Sequence, residues 1–231
     1  MRIGPLRFIR LTLALSATLS PRLAMSQSEF VGTIRYDVVN KDKHIGLILA
    51  SDGKRVRQDL APNDSVPGAY AFAYIVDAAK GDLTLLMPVT RRYRVIPFTG
   101  AGSPQTSSPS GPQPQPVTPR LMATRRHERI AGVDCELFVD SPVGGLISDN
   151  VDEYCITSTL GKLSPLDSLI SHSDSLSAAA PVARIVMHGG IVLRMRLNSP
   201  DSPLTMVATK IDRASPSPSI FVVPDGYERF P

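Results

Sequence analysis

His127-Glu128 begins in the manner of a zinc-hydrolase motif, which needs a second histidine four positions after the first so that both ring nitrogens share a helix face. Ala131 stands there instead. His44, His172 and His188 are far apart and have no ligand spacing between them, so each reads as a surface or turn residue. Asp152 and Glu153 are adjacent on an apparent strand, which points their carboxyls to opposite faces and spoils them as an acid/base couple. No Gly-x-Ser-x-Gly elbow, P-loop or Gly-x-Gly-x-x-Gly is present. These patterns imply no catalytic residues, no metal, no cofactor and no enzyme. What remains is a pair of cysteines, Cys135 and Cys155.

The compartment decides what two cysteines do. Arg2, Arg7 and Arg10 precede an apolar run from Leu11 to Leu19, and a small-residue stretch follows, ending Ala24-Met25-Ser26. This is the order of a cleavable secretory signal over residues 1–26. The apolar run is well short of the roughly 20 residues that cross a bilayer, and no later stretch is long enough, so no transmembrane span is expected. A periplasmic or secreted protein is implied, with a disulfide as the default state of its cysteines. The formal charge of +4 comes from 25 Lys+Arg against 21 Asp+Glu. Four of the arginines lie in the signal, so residues 27–231 are close to neutral and give no ground for nucleic-acid binding.

The elements that would position these groups are mostly strands. Phe30, Ile34, Tyr36 and Val38 alternate with Thr33, Arg35 and Asp37, a period of two. Residues 45–50 and 55–60 flank Asp52-Gly53, a strong hairpin signal. Tyr70, Phe72, Tyr74 and Val76 form another alternating face, and residues 83–87 and 92–98 continue the meander. Residues 99–119 are Gly, Ser, Pro, Thr and Gln with almost no apolar side chain, which predicts a disordered loop insertion within one β-rich domain over 27–231; a domain linker is the alternative. Strands follow at 121–130, 133–139, 151–157, 184–187, 191–197 and 204–211. Ser164-Pro165 reads as a helix start, with Ser164 as cap and Leu166, Leu169 and Ile170 facing inward. If the hairpin between the cysteine strands folds about Gly145, residues whose numbers sum to 290 oppose one another. Cys135 and Cys155 meet that condition, which predicts their disulfide; two buried thiols are the alternative.

The C-terminal Phe-Val-Val-Pro-Asp-Gly-Tyr (residues 221–227), the segment 129–135 (Arg-Ile-Ala-Gly-Val-Asp-Cys), the opening 30–36 and the stretch 75–88 resemble a bacterial exported family, domain-of-unknown-function 4412. That family is similar to the periplasmic lipoprotein-carrier fold. The resemblance implies a mainly β architecture: a half-open antiparallel barrel or strongly curved sheet, with one or two short helices covering its concave face. It also implies a monomeric, non-enzymatic binding or carrier protein for a lipid, lipoprotein or other apolar ligand, for which Tyr36, Tyr70, Phe72, Tyr74, Leu166 and Ile170 are the candidate contacts. The competing expectation is a structural or protein-interaction module of the cell envelope.

Overall fold

The computed structural model describes residues 28–41, 43–62, 72–98, 120–141, 151–172, 186–187, 189–198 and 203–231. The expected signal at 1–26, the segment 99–119, Tyr70 and the Gly144-Gly145 turn lie outside the described residues.

Alternation sets the faces. In β1 (Val31–Asn40), Ile34, Tyr36 and Val38 are buried while Arg35 is exposed, as successive side chains on opposite faces of a strand require. β2 (Lys43–Asp52) and β3 (Arg55–Pro62) follow through the expected hairpin. Gly53 sits at its tip with φ +85°, a conformation other residues rarely adopt. One carboxylate oxygen of Asp52 accepts from the backbone N–H groups of Lys54 and Arg55 at 3.0 and 2.7 Å, and the other accepts from the Arg55 guanidinium at 2.7 Å.

β4 (Phe72–Asp77), β5 (Asp82–Met87) and β6 (Arg92–Pro97) complete a first antiparallel meander. A second contains β7 (Arg120–Ile130), β8 (Val133–Ser141), β9 (Glu153–Thr157), the helix α1 (Ser164–His172), β10 (Val186–Met187), β11 (Gly190–Leu197) and β12 (Leu204–Asp212). β1 pairs with β12 and joins the meanders, while β13 (Glu228–Arg229) adds a parallel edge beside β6. The thirteen described strands thus make one sheet, in the order β13-β6-β5-β4-β3-β2-β1-β12-β11-β9-β8-β7, with β10 on β11. Hydrogen bonds do not close it. β7 nevertheless touches β12, although β8, β9 and β11 lie between them and a flat sheet would hold them about 19 Å apart. The sheet therefore curls at that end. A mainly β, open, strongly curved sheet with few helices is the architecture expected.

The face that carries Tyr36 holds the main core, which includes Ile34, Leu47, Leu49, Val56, Val76 and Met195. On the reverse face of β4 and β5, Ala73, Ile75 and Leu86 are covered by Val223 and Tyr227 of the C-terminal tail. A 3-10 turn, Pro218–Phe221, leads into the tail. Arg55 and Arg57, which alternate with Val56 and Gln58, hold it in place. Arg55 lies 4.9 Å from the Phe221 ring centroid, and Arg57 donates to the Ile220 carbonyl at 2.7 Å.

Cys135 and Cys155 are joined, their Cα atoms 5.4 Å apart. The register differs from the expected one. Leu137, not Cys135, stands opposite Cys155, and Glu136 opposite Ile156, so opposing numbers sum to 292 and the bridge is a diagonal between neighbouring strands. A turn signal locates a loop, but loop length sets the register, and this hairpin is centred on position 146.

Two measurements bear on these features. Replacing both cysteines by serine opens a loop 20 residues long and is expected to lower stability by about 3 kcal/mol, read as a lower denaturant midpoint with a somewhat steeper slope, since the unfolded chain becomes less compact. Burial alone would raise the Asp52 pKa, but the hydrogen bonds from Arg55 and Lys54 outweigh it and hold the carboxyl below its ordinary value. Its contribution is therefore complete above about pH 3.9, the unfolded value, and is lost as pH falls through the lower folded value. Asp52→Asn should be less stable than the parent at neutral pH, with the difference shrinking in acid melts.

Candidate functional site

Four of the six candidate contacts have described side chains, and all four lie on or above the Tyr36 face. Tyr36 stands between Leu47 of β2 and Ala208 of β12. Its ring is buried, and its hydroxyl donates to the Val192 carbonyl at 3.1 Å; burial pushes the phenol well above its ordinary pKa. Tyr36 therefore ties β1 to β11 across β12 and has a structural role of its own. Phe72 and Tyr74 stand opposite Leu60 and Gln58 and are half-buried. Leu166 is fully buried in α1. Ile170 lies in the last part of α1, where side chains are not described, and Tyr70 lies outside the described residues.

α1 packs over β3 and β4. Leu160 and Leu163 before it, and Leu166 and Leu169 within it, join the main core, the spacing of three that puts side chains on one helical face. The start of α1 is not built as Ser164-Pro165 suggests. The first helical bond runs from the Asp167 N–H to the Leu163 carbonyl at 3.2 Å, so Leu163 occupies the capping position. The Ser164 hydroxyl instead donates to Glu29 at 2.6 Å, and the Ser164 N–H donates to the same carboxylate at 3.3 Å. A carboxylate from 135 residues earlier thus satisfies a free amide at the positive end of the helix dipole.

Glu29 is delivered by a short backbone clamp. Phe30 N–H donates to the Lys162 carbonyl at 2.7 Å, and Lys162 N–H to the Ser28 carbonyl at 2.9 Å. The strands approach so closely at Gly161 that a Cβ there would lie 2.3 Å from the Ser28 carbonyl oxygen, and its φ is +102°. Only glycine fits.

Gln58 is the residue that the candidate list lacks. It lies on the Tyr36 face of β3 between Leu49 and Tyr74, is 1% exposed, and among the described residues neither its amide nitrogen nor its amide oxygen has a hydrogen-bond partner. Val56, Gln58 and Leu60 alternate with Arg55, Arg57 and Asp59, so a polar residue at an apolar step of the pattern was the signal for it.

A concavity of about 350 Å³ lies at the far end of the sheet, lined by His127, Asp134, Cys135, Glu136, Thr157 and Ser158 among others. His127 opposes Glu136 across the β7–β8 ladder. Among the described residues no group of three His, Cys, Asp or Glu side chains is placed to hold a metal ion. His44 pairs with Asp37 at 3.2 Å on the surface. Glu153 faces Arg194 and Arg196, while Asp152 accepts from the Asn198 N–H at 2.9 Å, so the two adjacent carboxyls have separate partners.

No family model matches this chain. The resemblance to the 4412 family is therefore unsupported, and no curated protein matches either. Two solved structures are similar in outline. PNGF-II, in its C2 space group, matches over 85% of this chain at 14% identity with a TM-score of 0.41, and the chain spans 30% of that protein's length. LprF from Mycobacterium bovis matches over 85% of this chain and 90% of its own, at 10% identity and a TM-score of 0.29. Likenesses this distant carry no functional weight.

Glu29→Ala should remove the carboxylate that caps α1 while leaving the backbone clamp in place. The expected loss is about 1 kcal/mol, the usual worth of a helix cap, with faster amide exchange confined to residues 164–172.

Proposed function

We propose that this chain is an exported, non-enzymatic binding or carrier protein for a lipid, lipoprotein or other apolar ligand of the bacterial envelope. The observation that carries this reading is the Tyr36 face beneath α1. An open, curved sheet gathers a continuous apolar core on this face, and one nine-residue helix, fastened at its N-terminal end, packs over β3 and β4 where Phe72 and Tyr74 are half-buried. Apolar concavities with a few polar groups are the usual ligand sites of proteins. The Cys135–Cys155 bond supports an oxidising compartment, and no described helix is long and apolar enough to cross a membrane.

An envelope interaction module is the second reading, and the edge strand β7 favours it. Met122 is 48% exposed there, and Arg125, Arg126 and Arg129 are exposed along the same strand. Yet basic side chains and a bulge are what sheet edges carry to prevent strand pairing, and β7 has both: its register shifts between Ala123 and His127. The carrier reading is therefore preferred.

The test is to purify the protein from its native envelope without detergent and extract it with organic solvent. Mass spectrometry should find a lipid in near-stoichiometric amount. A protein that yields no lipid, but crosslinks in cells to one stable partner, would replace the carrier with the module.

A further inference from the structure

Three described polar side chains are buried: Ser51, Gln58 and Thr157. Ser51 accepts from the Gly53 N–H at 3.1 Å, and Thr157 shares a hydrogen bond with Thr159 at 2.9 Å. Gln58 alone is unpaired at both ends of its amide. More than nine-tenths of buried polar groups in folded proteins have a partner, and an apolar residue at this step would remove the desolvation penalty. Among the described residues the amide has no polar partner in the fold. It stands directly opposite Tyr74, in a strand over which α1 packs.

We propose that Gln58 and Tyr74 form the polar end of a ligand site beneath α1, and that its ligand is a neutral amphiphile whose head both donates and accepts hydrogen bonds, as a carboxamide does. This rests on the carrier reading above. A primary amide is matched by a group with one acceptor and one donor. Burial raises the Tyr74 pKa, so its hydroxyl stays protonated and able to donate at neutral pH. The register places Leu49, Gln58, Tyr74, Leu85 and Arg94 in one cross-strand row. Arg94, exposed at the β6 end, is about 14 Å from Gln58 at the usual strand spacing. A carboxylate head at Gln58 would thus be buried far from that cation, which disfavours a charged ligand there.

The test uses the full mature chain loaded with the fluorescent apolar probe N-phenyl-1-naphthylamine, displaced by oleamide, methyl oleate or oleic acid. These share one acyl chain and differ in the head: donor and acceptor, acceptor alone, or anion. Oleamide is expected to displace the probe at concentrations about tenfold below methyl oleate, the equivalent of one hydrogen bond. In Gln58→Leu the preference should vanish while the melting temperature rises; Gln58→Met serves the same purpose if leucine is poorly accommodated. A variant that melts lower and keeps the preference would show Gln58 to be structural and overturn the inference alone. Failure of the probe and all three lipids to bind would overturn the carrier reading, and this inference with it.

Discussion

The covered face depends on how closely two stretches of backbone can approach. Ser28 to Phe30 and Gly161 to Leu163 run side by side because position 161 has no side chain, and that contact carries Glu29 to the end of α1. A nine-residue helix in isolation is marginal in water. Its leucines supply burial but little orientation, since apolar contact is not directional. The clamp and the carboxylate supply the direction. Between them they determine that α1 lies over β3 and β4.

The two faces of the sheet are served by different devices because alternate residues of the same strands feed them. β3 shows this most clearly. Val56, Gln58 and Leu60 face the main core, while Arg55 and Arg57 reach the other way and seize the C-terminal tail through an aromatic ring and a carbonyl. At the opposite end, Glu128 of β7 meets Arg194 of β11 at 2.8 Å, an ion pair that the curl of the sheet makes possible. β7 reaches that position through its bulge, where Arg125 adopts φ +60° and the Thr124 hydroxyl donates to the Leu137 carbonyl at 2.8 Å.

What the sequence disclosed and what it hid divide along the range of the interaction. Strands with period two, the Asp52-Gly53 hairpin and a helix after Ser164 are local patterns, and each is found near its expected place. The cysteine pairing was legible because compartment and alternation both pointed to it, whereas its register depended on a turn whose length the sequence does not state. Glu29 as the cap of α1 was hidden, since no short-range rule links positions 135 residues apart. The apolar Val223 and Tyr227 of the tail have no local partner in the sequence, since they seat against a sheet face already built. Gln58 was visible as a break in the pattern of β3, and only burial without a partner gives that break a meaning.

β1 pairs on one side with β2, its neighbour in the chain, and on the other with β12, where Tyr36 meets Ala208. The second ladder closes a loop of some 170 residues, the kind of distant contact that slows folding. During synthesis the first meander can form as soon as it emerges, but the flank of β1 stays unpaired until nearly the whole chain has been made. Until then the nascent protein presents a long, half-apolar strand edge, the form of surface that aggregates or recruits a chaperone. This late seam keeps the molecule open: the ladder between β1 and β12 cannot lock before the last third of the chain has been made.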